Sequence, residues 1–187
     1  MRIAYFTHSL RSCWNHGNAH FLRGVLGELV ARGHDVEGFE PEGAWSLANL
    51  LRDHGAEPLR AFERSYPDLR STSYAADAEV AALVHGADLV IVHEWNDMKL
   101  VSELGRVRKR GGRFILLFHD THHRAVSAPE EMRAFDLDGY DGVLAFGEAV
   151  AQIYRDWGWG SRAFIWHEPA DIRRFHPPPQ EGAREGL

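Results

Sequence analysis

The sequence predicts an α/β fold: a Rossmann-like, doubly wound, mostly parallel sheet with helices on both faces. Three observations predict it. Strand-like and helix-like segments alternate six times along 187 residues, and that alternation calls for crossover connections and parallel strands. Two of the strand-like runs, DLVIVHE (88–94) and GRFILLFHD (112–120), are nearly continuous in apolar residues, as strands covered on both faces are. The length, with 44% hydrophobic and 26% charged residues, fits one ordinary globular domain that can bury a core.

Residues 2–8 read as the first strand. Residues 18–33 read as a helix, because Leu22, Val25, Leu26 and Leu29 share one face and Gly33 stands where a terminating glycine belongs. Residues 34–40 alternate as a second strand, and 44–55 form a helix ending at Gly55. The stretch 57–70, with Pro58 and Pro67, reads as the least regular part, and 72–86 as another helix. The strand 88–94, the helix 96–111 and the strand 112–120 follow. A short helix over 129–137, a strand over 142–147, a helix over 148–158 and a strand over 162–168 complete the series. The domain is expected to span 1–175. The proline-rich, then polar, stretch 176–187 reads as a linker.

A net charge of −6 argues against a nucleic-acid phosphate backbone as partner. The local basic run Arg106, Arg108, Lys109 and Arg110 suits a helix C-terminus. The single Cys13 excludes an internal disulfide framework and a multi-cysteine zinc site, and reads as a bystander thiol. No apolar run reaches the roughly 18 residues of a membrane span, and MRIAYFTHSL lacks a signal-peptide core. A soluble cytoplasmic protein is expected, with peripheral contact at a membrane surface left open.

In open parallel sheets, ligands bind beyond the carboxyl ends of the strands. Those ends carry the chemistry here. Of 12 histidines, His8, His93, His119, His122 and His167 lie at or just past an expected strand end. Glu94, Trp95, Asn96, Asp120, Glu148 and Glu168 accompany them. The run HDTHHR (119–124) admits three readings. A metal site would use His119, Asp120 and His122 or His123, although adjacent residues of an extended segment face opposite ways. A polar loop closing a strand is the plainest. A substrate-binding or proton-transfer site uses the imidazole, which titrates near neutrality. The loop NHGNAH (15–20) opens the first helix. There Asn15 or Asn18 can cap the helix, while His16, Gly17 and Asn18 can meet a ligand. It is neither a dinucleotide fingerprint nor a P-loop, and no serine elbow is present.

HGNAHFLRGVLGELVARGHDV (16–36) resembles the opening of GT-B fold glycosyltransferases, where a glycine-containing loop enters a helix ending in Arg-Gly-His. LLFHD (116–120) resembles the histidine-ended strand of the retaining glycogen-synthase-like and mannosyltransferase-like group. HEPADIRRFHP (167–177) resembles the segment closing the N-terminal domain there, with Asp171, Phe175 and Pro177 matching and Glu168-Pro169-Ala170 departing from the usual Asn-Gly. GEAVAQIY (147–154) resembles the group's Ser-Glu stretch, with Gly147 for serine.

The resemblance implies the N-terminal, acceptor-side half of a hexosyltransferase, inactive in isolation. The linker would lead to a donor-binding domain in cis. It implies a nucleotide-sugar donor as co-substrate, a hydroxyl acceptor, no resident cofactor and no metal. His119 and Asp120 would be the catalytic residues, and His16, Gly17, Asn18, His93, Glu94, Trp95, His122 and Glu148 would bind substrate. Six tryptophans suit sugar stacking as well as core packing. A stand-alone nucleotide- or sugar-binding module, and a metal-dependent hydrolase using His119, Asp120 and His123, are the rival expectations.

Overall fold

The computed structural model describes residues 1–14 and 16–177. The expected linker, beyond its first two residues, and the expected cap Asn15 lie outside the described residues. Seven parallel strands form one sheet in the order β3-β2-β1-β4-β5-β6-β7. They are β1 (Arg2–Phe6), β2 (Asp35–Pro41), β3 (Arg70–Tyr74), β4 (Leu89–His93), β5 (Ile115–Asp120), β6 (Gly142–Ala145) and β7 (Ala163–Ile165). The chain winds outward from β1 to β3, returns to place β4 beside β1, and winds outward again to β7. The two loops that leave β1 and β4 therefore diverge at the sheet's switch point, the place where such sheets open a crevice.

The helices are α1 (Asn18–Ala31), α2 (Trp45–His54), α3 (Glu57–Ser65), α4 (Val80–Leu83), α5 (Met98–Lys109), α6 (Arg124–Ser127), α7 (Pro129–Arg133) and α8 (Glu148–Tyr154). A wider turn over Arg155–Trp159 extends α8. Strand alternation splits the core in two. Ile3, Tyr5, Val36 and Ile91 meet Phe21, Leu22 and Leu26 of α1 and Phe62 of α3 on one face. Val90, Val92, Leu116, Phe118 and Val143 meet Val101 and Leu104 of α5 and Val150 and Tyr154 of α8 on the other. Each such side chain, fully buried, contributes about 1.5–3 kcal/mol relative to exposure.

Three expectations are corrected. Residues 57–70 are not irregular: Pro58 sits in the first turn of α3, where its missing N–H costs nothing. Residues 72–86 are not one helix: RSTSY forms edge strand β3, and only Val80–Leu83 is helical. β3 pairs through its backbone with β2 while its side chains stay mostly outside the core, so it carries no apolar alternation. Asn18 does not cap α1 through its side chain. Gly17 holds the cap position, with no side-chain cap bond.

After β7 the chain returns across α1. Asp171, nearly buried, packs on Gly24, and Arg173 donates to the Gly24 carbonyl at 3.0 Å. A Cβ on Gly24 would lie 2.8 Å from Asp171 Cβ and 3.2 Å from its Cα. Gly24→Ala is therefore expected to lower stability by about 1 kcal/mol, overpacking outweighing the better helix propensity. A urea midpoint at or above that of the parent protein would show that the returning segment yields freely.

Candidate active site at the carboxyl edge of the sheet

The alternation that divides the core also sorts the polar groups. Ile91, His93, Leu117 and His119 point toward α1, while Val92, Glu94, Phe118 and Asp120 point away from it, and His93 pairs with His119 in register. An imidazole layer and a carboxylate layer result.

The imidazole layer is a row of rings along the strand ends. His16 and His8 centroids are 4.6 Å apart, His8 and His93 5.5 Å, His93 and His119 5.8 Å, and Trp166 stacks on His119 at 4.8 Å. Burial drives the His119 pKa down to about 3 and that of His8 down to about 4. It holds His93 far below the ordinary value, aided by the neighbouring imidazoles, and lowers His16. The row is uncharged at neutral pH. A neutral imidazole has one donor and one acceptor nitrogen.

For His119 the tautomer is coupled to the Tyr5 hydroxyl. Burial, with Glu168 and Glu94 nearby, holds the Tyr5 pKa well above the usual phenol value, so its hydroxyl keeps its proton. That hydroxyl lies 2.5 Å from His119 Nδ1, its one hydrogen-bond partner among the described residues. With the hydroxyl as donor, Nδ1 accepts and the ring proton sits on Nε2. Nε2 is buried and has no partner. His93 Nδ1 accepts from the Trp95 N–H at 3.2 Å, and its Nε2 reaches Thr121 Oγ1 at 3.1 Å and the Asn18 amide at 3.3 Å.

On the carboxylate layer Glu94 and Asp120 are bonded throughout by contrast. Glu94 accepts from Thr121 N and Oγ1, each at 3.0 Å, and from Arg124 at 3.0 Å. It latches the β4 and β5 ends together and keeps no oxygen for a ligand. Asp120 accepts from the His122 N–H at 3.1 Å and from the Tyr154 hydroxyl at 2.9 Å. Burial and the charge of Glu94 raise its pKa to about 7. Glu168, just past β7, has a pKa pushed up to about 7 by burial and by Glu94, and its Oε1 is buried without a partner.

Every partnerless buried side-chain atom among the described residues lies on this edge: His8 Nδ1, His16 Nδ1, His119 Nε2, His122 Nδ1 and Glu168 Oε1. A buried polar atom left unpaired costs about 1–3 kcal/mol. Several at one place mark a surface shaped for something other than its own stability.

The structure thus gathers His16, Asn18, His93 and His119, with Trp95 and His122 beside them. Gly17 is exposed, and a Cβ there would meet nothing within 4 Å. Glu148 instead turns outward to Arg155 at 2.6 Å. His123 is exposed, against Ser127 at 2.8 Å. The metal reading of His119, Asp120 and His123 fails on geometry. His119 and Asp120 face opposite sides of the sheet, and no group of three or more metal-type ligands converges among the described residues. Cys13 is a free, half-buried thiol. Tyr5, Trp45 and Trp166 escape sequence reasoning because nothing local distinguishes them from core aromatics. No helix among the described residues is long and apolar enough to cross a membrane.

No protein family matches this chain, and neither does any curated protein. Among solved structures, an alpha-glucosyltransferase in complex with UDP and a 13-mer DNA containing a HMU base aligns with 92% of this chain. The TM-score is 0.52 and the identity 14%. The chain spans 43% of that structure's length, and the likeness shows a shared fold. A diketoreductase aligns with 91% of this chain and 65% of its own, at 13% identity, with a TM-score of 0.41 that falls short of a shared fold.

Protonation of His119 separates the folded and unfolded states. Its pKa is depressed to about 3 when folded, against 6.5 when unfolded. Below pH 6.5 the unfolded chain binds a proton that the folded one refuses, so stability falls with pH through that window. The stability difference between the parent protein and His119→Gln should therefore shift against the parent by about 1.4 kcal/mol per pH unit as pH falls from 6.5 toward 3. Urea titrations of both proteins at pH 7.5, 6 and 5 read this directly. A pH-independent difference would mean that the ring titrates normally.

Proposed function

We propose that this chain is the acceptor-side half of a nucleotide-sugar-dependent glycosyltransferase, with its reacting centre at the carboxyl edge of the sheet. One observation carries the reading: the five partnerless buried atoms gathered at that edge, beside the switch point where β1 and β4 diverge. The shared fold with a glucosyltransferase that holds UDP supports it. So does the chain's share of that neighbour's length, which leaves room for a donor-binding domain in cis.

In the transfer, the bond from the anomeric carbon to the diphosphate oxygen breaks. A bond from that carbon to the acceptor oxygen forms, and the acceptor hydroxyl gives up its proton. His119 is a donor in this scheme rather than a base: its Nε2–H meets a sugar oxygen, while Tyr5 fixes the tautomer from behind. Asp120, tied to Tyr154 and to the loop after β5, positions His122 without reaching the substrate. Glu168 combines an open oxygen with a pKa near 7, so in its ionised form it takes the acceptor's proton. These are uncharged or singly charged groups. Neutralisation of the leaving diphosphate falls to the donor-binding domain, through helix N-termini and basic side chains.

The test is nucleotide-sugar turnover by the protein as its native source makes it, together with its intact mass. Turnover is expected from a protein carrying a further domain beyond these residues. His119→Ala is expected to lower kcat/KM roughly 10- to 100-fold, the worth of one hydrogen bond to a group gaining charge. Glu168→Gln is expected to abolish the pH-rate limb near 7 that the parent shows. A native mass near 21.2 kDa with no turnover of any nucleotide sugar would sink the reading.

A further inference from the structure

At the β1 end of the imidazole row, two exposed indoles stand beside two histidines whose Nδ1 atoms lack partners. Trp45 at the start of α2 is 49% exposed, and Trp95 after β4 is 44% exposed. Neither ring is loose. Trp14 donates its indole N–H to Asp53 at 3.0 Å and sets its ring edge-on to Trp45 at 5.6 Å. The Arg124 guanidinium lies 4.4 Å from the Trp95 ring centroid. Between the indoles is His8, 6.4 Å from Trp45, 6.3 Å from Trp95 and 4.6 Å from His16. His8 is only 7% exposed, yet its Nδ1 has no partner, and the same holds for His16 Nδ1.

We propose that Trp45 and Trp95, with His8 and His16 between them, form a subsite for an uncharged saccharide. The inference rests on the transferase reading in one respect: it makes the hydroxyl acceptor itself a sugar. The ligand class follows from what the subsite offers and what it withholds. The surrounding cations are already engaged. Arg11 is paired with Glu40 at 2.5 Å, Arg23 donates to the carbonyls of Leu10 and Arg11 at 2.8 and 2.9 Å, and Arg124 is paired with Glu94 at 3.0 Å. Burial keeps both imidazoles neutral near pH 7. Among the described residues, Arg11 and Arg124 are neutralised by carboxylates, and the buried Arg23, which keeps its charge, turns its N–H groups to backbone carbonyls rather than to a phosphate or carboxylate ligand. A sugar hydroxyl both donates and accepts, so it satisfies an imidazole nitrogen in either tautomer. The C–H face of a pyranose is apolar and flat enough to lie on an indole held in place, with little ordering cost.

The experiment uses the full 187-residue chain and saturation-transfer NMR, with tryptophan fluorescence as a second readout. The probes are maltotriose, cellotriose and mannotriose, with glucose 1-phosphate as the charged comparison. At least one trisaccharide is expected to receive saturation and to bind more tightly than the sugar phosphate. Trp45→Ala and His8→Gln are each expected to weaken it at least tenfold, whereas Trp45→Phe, which keeps a stacking ring, retains most of the affinity. Circular dichroism identifies any variant that fails to fold, and the Phe variant then decides. Binding that ignores both substitutions, or that favours the sugar phosphate, overturns the subsite. Trisaccharides that never bind, while the native protein transfers sugar to a non-sugar acceptor, overturn the subsite and leave the transferase reading standing. Trisaccharide binding that depends on Trp45 and His8, in a protein that consumes no nucleotide sugar, supports the subsite and sinks the transferase reading.

Discussion

The hydrogen bond from Tyr5 to His119 organises the edge of this sheet. Tyr5 projects from near the carboxyl end of β1, across the switch point, and reaches the end of β5 beyond the intervening strand β4. With the buried, protonated phenol as donor, one imidazole nitrogen is the acceptor and the other is left as a donor. Trp166 closes over the ring by stacking, and Trp166 is held in turn by the segment that Asp171 and Arg173 anchor against α1. A single neutral ring thereby couples β1, β5 and the chain's return across the first helix.

The two chemical layers answer different needs. Glu94, Thr121, Arg124, Asp120 and Tyr154 satisfy one another, which lets charged groups sit at the top of a dry sheet without an orphaned charge. The histidines on the opposite face remain neutral and incompletely bonded. Structure is secured on one side so that the other can afford open donors and acceptors. The basicity of His119 is set by burial.

Much of this arrangement is written in local sequence pattern. The apolar runs ending in His93 and His119 predict their own strands, and the strand-end rule places both histidines on one edge. The helix 18–33 is found nearly to its last turn because its apolar spacing is regular. β3 is hidden because an edge strand with mostly exposed side chains obeys no apolar rhythm. α3 is hidden because a proline in a first turn looks the same in sequence as a proline that breaks a helix. The partners of the histidines are less legible still. Tyr5 lies 114 residues from His119, and Trp45 faces His8 only because α2 folds back over the loop after β1. Glu148 illustrates the converse: a strand-end position selects a residue whose side chain then turns to an arginine on its own helix.

The adjacency of His119 and Asp120 has an evolutionary consequence. The two residues are neighbours in the chain but serve opposite sides of the sheet. Insertion or deletion of one residue between Ile115 and His119 would rotate the strand end by half a turn, exposing a carboxyl where the imidazole stood. Tyr5 and Tyr154 would then each face the wrong partner. Descendants of this chain can lengthen their loops freely, but β5 can change length only in steps of two.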